Sequence, residues 1–165
     1  MQMGTYDWTS WTPWCPLEGL DFKQVPTGPG AYVISVGTPL NRVVGIDPEG
    51  IIDIGESGAV RQRLKDFCRC ATIRGEEGHM AGWRFAFFQF KRHFTFESLR
   101  VRWIATASKD DARDAEGRLM LAYLLNHAEL PPLNYSFNWR PFERDGWDLF
   151  DRLLSATSVQ SGSKH

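Results

Sequence analysis

Gly30-Ala31-Tyr32-Val33-Ile34-Ser35-Val36 and Ile51-Ile52-Asp53-Ile54-Gly55-Glu56-Ser57 are the stretches whose reading decides the fold. Thr27-Gly28-Pro29-Gly30 is turn chemistry, and it launches the β-branched run Ala31–Val36, which reads as a strand. Ile51–Gly55 reads as a second strand on the same grounds. Residues 37–50, rich in Gly and Pro, read as the loop between them. Two short strands joined by such a loop suggest an antiparallel pair.

Working outward, Val60, Leu64, Phe67 and Cys68 recur at the spacing of one helical face. Arg61, Lys65 and Arg69 lie roughly opposite, and Arg63 sits at the edge of the apolar face, beside Phe67 and Cys70. Residues 78–94 carry both periods: Met80, Trp83, Phe87, Phe90 and Phe94 favour a helix, whereas Phe85 and Phe88 allow a strand. The helix is the preferred reading. Leu99, Val101 and Trp103 alternate with Arg100 and Arg102, a strand pattern. Ser108 and Asp111 resemble a capping box opening the main helix, which runs to about Ala128 and stops before Pro131-Pro132. Arg144–Leu154 predicts a last short helix, with Trp147, Phe150 and Leu154 on one face, and a mobile tail over residues 158–165. Pro13 and Pro16 exclude a good helix near the N-terminus, so Trp8, Trp11 and Trp14 are expected on an extended arm that packs on the body. The expected fold is α/β (α+β), with a small central antiparallel sheet of about three strands flanked by helices. One domain is expected, with a core over residues 28–135, the arm over 1–27 and a C-terminal extension over 136–157.

The 165 residues suit one core, and 13% aromatics with seven Trp supply material to bury. A net charge of −1 argues against binding through non-specific phosphate contacts over the whole surface, so any nucleic-acid contact must come from a local patch. Three cysteines, Cys15, Cys68 and Cys70, without paired C-x-x-C spacing, argue against a disulfide framework or a zinc ribbon. Asp7, Glu18 and several prolines interrupt any N-terminal apolar run. No stretch approaches the ~20 apolar residues that span a bilayer, so a cytoplasmic protein without a membrane partner is expected.

Glu116 is the most informative single residue. Its helical neighbours Ala112, Leu119, Met120 and Tyr123 form the apolar face of the main helix. A carboxylate there costs several kcal/mol unless it is compensated, roughly on the scale of a buried unpaired charge. An arginine, a hydrogen-bond network or a cation would each suffice, and a buried ion pair explains the periodicity as well as a metal does.

The order of these elements resembles the GIY-YIG nuclease family. Gly30-Ala31-Tyr32 looks like the GIY triplet and Asp53-Ile54-Gly55 like the YIG triplet, with Gly55-Glu56-Ser57 matching its usual G-x-S extension. Arg63 stands where the family has its catalytic arginine, Glu116 where it has its metal-binding glutamate, and Pro132-Leu133-Asn134 matches its P-x-N ending. Two positions depart from the pattern: Asp53 replaces the YIG tyrosine, and Phe67 stands where a histidine is often found. His79, or with less support His93, is the candidate to replace that histidine.

The resemblance implies a metal-dependent DNA endonuclease that hydrolyses phosphodiester bonds by in-line water attack, restriction-type or phage-related. Glu116 would hold Mg²⁺ or Mn²⁺, Arg63 would face the developing charge, Tyr32 would act as base or position water, and Asn134 would orient the loop or the glutamate. Asp53 would accept a proton, assist the metal or cap a loop. Arg61, Lys65, Arg69 and Arg74, with Ser57, form the expected DNA-binding patch, extended by Lys91, Arg92, Arg100 and Arg102. A homodimer is one way to cut both strands. Two readings compete with the active enzyme: a catalytically impaired nucleic-acid-binding module, suggested by Asp53, and an unrelated small α/β protein in which Glu116 is a structural ion pair.

Overall fold

The structure is a computed structural model in which residues 6–137 are described. Among these residues the fold is mixed α+β, with a four-stranded antiparallel sheet and three α-helices. The expected helix Arg144–Leu154 and the tail lie outside the described residues.

The strands are β1 (Cys15–Pro16), β2 (Gly30–Ser35), β3 (Leu40–Asn41), β4 (Ile46–Asp47), β5 (Ile51–Ser57) and β6 (Arg100–Ala105). The helices are α1 (Val60–Thr72), α2 (Met80–Phe87) and α3 (Lys109–His127). The main sheet runs β1-β6-β2-β5. It has one strand more than expected, because the N-terminal arm adds β1 to the β6 edge. Strand β2 is interior and buried along its whole length, which is why it lacks the polar alternation of a half-exposed strand.

Two apolar layers sandwich the sheet. Tyr32, Ile34 and Ile52 pack with Val60, Leu64 and Phe67 of α1 and Phe85 of α2. Val33, Ile51 and Ile54 pack with Leu119, Met120 and Tyr123 of α3, and Trp8, Trp11 and Trp14 close the same layer. The expected packing of the Trp arm on the body is therefore what the fold contains. A register shift between Ile34 and Ser35 lets Ile51 and Ile54 share one face of β5.

Two glycines allow this packing. A side chain at Gly30 would overlap the Ile104 carbonyl oxygen of the neighbouring strand. At Gly55, which pairs with Tyr32 across the ladder, it would overlap the Tyr32 ring and hydroxyl. The tyrosine ring lies where a Cβ would stand.

Four expectations change. The loop 37–50 contains the small β3-β4 hairpin, organised by fully buried Asp47, whose carboxylate accepts from the backbone N–H groups of Glu49, Gly50 and Ile51. Residues 78–94 are helical only to Phe87, since Gln89 takes a left-handed conformation (φ 61°) and a short 3₁₀ turn follows at Phe90–Arg92. In α1 the buried face turns past Cys68, which is half-buried, to Cys70 and Ala71, because α2 packs there around Gly82. Arg102, assigned to the basic patch, is only 8% exposed. Its guanidinium donates to the Thr12 carbonyl and lies 4.3 Å from the Trp8 ring centre and 4.9 Å from that of Trp14, a cation–π site inside the arm. The Ser108 cap forms as expected, accepting from the Asp111 N–H at 3.1 Å, although the Asp111 carboxylate bonds the Ser108 hydroxyl rather than reaching the backbone.

Gly30→Ala is expected to destabilise the fold by about 2 kcal/mol or more, the scale of overpacking where only backbone can yield. Urea unfolding measures this, and a midpoint within error of the parent would contradict the close approach of β2 and β6.

Candidate functional site

The free edge of β5 is where the two faces of the sheet meet, and a cavity of about 870 Å³ lies there. The chain after α3 closes the edge. Leu133 N–H donates to the Ile52 carbonyl, and the Asn134 side-chain amide both accepts from Ile54 N–H (3.0 Å) and donates to Ile54 C=O (2.8 Å). Asn134 thus imitates one rung of a strand ladder and satisfies an edge that water or another chain would otherwise pair. It positions the loop and lines the cavity.

Tyr32, Asp53, Arg63, His79, Glu116 and Asn134 all line this cavity, although they come from β2, β5, α1, the α2 cap, α3 and the closing loop. All six residues expected to carry chemistry are therefore brought together. Arg61, Lys65, Arg69, Arg74 and Ser57, expected to bind DNA, do not line it. Arg61 is committed to the Val25 and Lys23 carbonyls, and Arg69 to Asp66, Glu76 and the Glu77 carbonyl. Lys65 lies over the Phe22 ring, Ser57 accepts from Ala59 N–H at the entry to α1, and Arg74 is exposed.

The centre is the Tyr32 hydroxyl. Tyr32 is 1% exposed, and its Oη lies 2.9 Å from His79 Nε2. His79 caps α2 with Nδ1, which accepts from Gly82 N–H. A neutral imidazole with Nδ1 accepting carries its proton on Nε2, so His79 donates to Tyr32. Burial, and then Arg63, push the His79 pKa down to about 3, which keeps it neutral. Its ring also meets Phe67 edge-on at 5.2 Å. Position 67 therefore fills with apolar bulk while the imidazole reaches Tyr32 from the next helix.

The remaining bonds of the Tyr32 hydroxyl involve Arg63 and Asp53. Burial, and then Asp53, hold the phenol well above its ordinary pKa, so it stays protonated. Asp53 is 3% exposed, and burial raises its carboxyl to about 7 against the opposing pull of Arg63, the Tyr32 hydrogen bond and Arg84. Its Oδ2 has no hydrogen-bond partner. Glu116 behaves alike: burial, then the charges of Glu56 and Asp53, raise it to about 7, opposed by Arg63 and Arg113. Perturbed carboxylates in a cleft are candidates for function as well as structural strain.

Two residues missed in the sequence also belong here. Arg84, 6% exposed, donates to the Leu133 carbonyl, and its guanidinium lies 3.3 Å from the Tyr135 ring centre. The available signal was a single charge inside the otherwise apolar α2. Glu56 lies 3.9 Å from both Lys109 and Arg113 and leaves a buried Oε2 unpartnered. Its signal was the acidic residue inside Gly55-Glu56-Ser57. His93, the weaker substitute for the missing histidine, does not line the cavity.

Among the described residues no group of three or more His, Cys, Asp or Glu side chains is arranged to hold a metal ion. No described helix is long and apolar enough to cross a membrane.

A raised carboxylate contributes stability that is complete below its unfolded pKa and is lost as pH rises through its folded value. Between about pH 4.5 and 7, ionising Glu116 should therefore weaken the fold. In EDTA, Glu116→Gln is expected to match the parent near pH 5 and to exceed it near pH 8 by roughly 2–6 °C in Tm. An equal difference at both pH values in calorimetry would show that the carboxylate is not strained. No protein-family model matches the chain, and neither a curated protein nor a solved structure matches it.

Proposed function

We propose that the protein is a metal-dependent phosphodiester hydrolase acting on DNA, an endonuclease of the GIY-YIG type. The observation that carries this reading is the convergence of Tyr32, Arg63, Glu116 and Asn134 on one cavity from four separate parts of the chain. The ordered resemblance in the sequence and the strained Glu116 carboxylate support it independently.

With no group of three side-chain ligands present among the described residues, the lining suits only a hard divalent cation held by one or two carboxylates and completed by water and phosphate, such as Mg²⁺ or Mn²⁺. Carboxylate oxygens are the ligands such ions prefer, and Glu116 has no cationic partner strong enough to offset its burial. Glu116 would hold the ion, with the buried Oε2 of Glu56 within the same cavity lining as a further oxygen. The ion would supply positive charge to the phosphate and the leaving oxygen.

The chain's own residues divide the remaining work. Arg63 and Arg84 present guanidinium donors to the non-bridging oxygens of the phosphate, where negative charge grows in the transition state. Water attacks phosphorus in line as the P–O3′ bond breaks, the departing O3′ takes a proton from solvent water, and the products are a 5′-phosphate and a 3′-hydroxyl. A neutral, buried Tyr32 does not deprotonate the water: its hydroxyl is spent on His79, Arg63 and Asp53, and it holds the Asp53 carboxylate in place. The proton goes to Asp53, whose carboxylate offers the unpartnered Oδ2 and a pKa near neutrality, the range suited to a base. The replacement of the YIG tyrosine by Asp53 thus moves the base from a phenol to a carboxylate.

The same replacement favours a second reading, a nucleic-acid-binding module that does not cut. One plasmid assay separates the two. In Mg²⁺ or Mn²⁺, the parent is expected to nick supercoiled DNA, while Glu116→Ala and Arg63→Ala each lose at least ~100-fold, the scale of removing one electrostatic stabiliser. DNA binding without nicking by the parent assigns the binding module. Nicking at the parental rate by both variants rejects the site. Mn²⁺ should also raise the parent's Tm at pH 8 and leave that of Glu116→Ala unchanged, since a ligand stabilises only the state that binds it.

A further inference from the structure

A second concavity, of about 520 Å³, is lined by Arg63, Glu77, Gly78, His79, Met80 and Trp83. Arg63, His79 and Met80 line the first cavity too, so the two are neighbours that share these three residues. From α2 the wall takes Met80 and Trp83, and an aromatic cluster continues from Trp83 outside the concavity. Trp83 and Phe87 stack with ring centres 4.5 Å apart and planes 13° from parallel, and Phe88 meets Trp83 edge-on at 5.9 Å. Met80, Phe87 and Phe88 are 56%, 62% and 48% exposed. Apolar side chains of this size, contiguous and left in water beside a polar cleft, mark a binding surface more often than chance exposure. The acidic residue Glu77 also lines the concavity.

Three demands meet in this concavity: a flat apolar body for the Trp83 ring, which Phe87 backs from outside the lining, hydrogen-bond donors for Glu77, and an attached anion within reach of Arg63. A nucleobase with its phosphate satisfies all three. Every base has a π-face and at least one N–H donor on the edge used for pairing, and guanine carries both N1–H and the N2 amino group there. A base held in a duplex offers neither its face nor that edge. We infer that the concavity against α2 receives one unpaired nucleobase next to the scissile phosphate, so that the enzyme acts at single-stranded, bulged or otherwise unpaired sites. Fully paired DNA would have to surrender a base from its stack, at a cost of a few kcal/mol. The inference rests on the nuclease reading for the identity of the substrate, and its test does not depend on cleavage.

Binding is measured in EDTA by fluorescence anisotropy with three end-labelled oligonucleotides: a 20-base-pair duplex, the same duplex with one bulged guanine, and the single strand. The bulged and single-stranded probes are expected to bind at least ~10-fold tighter than the duplex, the scale of one stacked base. Trp83→Ala should bring that ratio close to one, and Trp83→Phe should retain most of it, which separates stacking from general loss of fold. Glu77→Gln should reduce the preference for a bulged guanine over a bulged thymine. A ratio near one in the parent, or a ratio unchanged in Trp83→Ala, overturns the inference while leaving the plasmid assay to judge the nuclease. Concentration-dependent dimerisation abolished by Phe87→Glu would instead assign the aromatic face to a second copy of the chain, and would equally overturn it.

Discussion

The placement of the Tyr32 ring over Gly55 is the contact on which the rest of the structure depends. It requires a residue without a side chain opposite the tyrosine, and it brings the phenol oxygen over the edge strand. There the hydroxyl meets His79 from the α2 cap, Arg63 from α1 and Asp53 from β5. One close approach therefore sets the β2–β5 register, the docking of two helices and the floor of the cavity. Because the ring is buried, the polar groups around it pair largely with one another, which orders the site, while the Asp53 Oδ2 is left without a partner.

The edge of β5 carries the second constraint. An unpaired edge beside a cleft invites pairing by other chains. Asn134 answers this with its side-chain amide, bonding both backbone groups of Ile54. The closing loop thereby becomes part of the cavity wall, and Arg84 and Tyr135 are tied to it through the Leu133 carbonyl and a guanidinium–ring contact. The carboxylates of Asp53 and Glu116 face this interior with raised pKa values. Burial holds them in a state that a cation or a proton would relieve.

Arginines show how little a side chain's type says about its partner. Arg61, Arg69 and Arg102 looked alike in the sequence as members of a basic patch. Folded, they serve the 20s loop, an acidic cluster with Glu76, and the Trp8–Trp14 pair respectively. Arg63 and Arg84 face the cavity. A planar guanidinium bonds carbonyls, carboxylates and rings equally well, and only the position of its backbone decides which it meets.

What the sequence determined by itself was local and ordered: the β2 and β5 runs, the apolar face of α1, the Ser108 cap, the stop at Pro131, and the burial of one side of α3 around Glu116. These follow from period and turn chemistry, which act over a few residues. The list of Tyr32, Asp53, Arg63, Glu116 and Asn134 was legible as well, because motif order survives in one dimension. Only the tertiary structure decided the fourth strand, the early end of α2, the fate of Arg102, and the entry of Arg84 and Glu56 into the cavity. It also decided that His79, from the α2 cap, is the group that hydrogen-bonds the Tyr32 hydroxyl. Each of these depends on which distant segments share a surface. That choice is made by the packing of the whole core around a few close approaches, such as Gly30 on Ile104 and Gly82 on Phe67, and not by any residue's own preference.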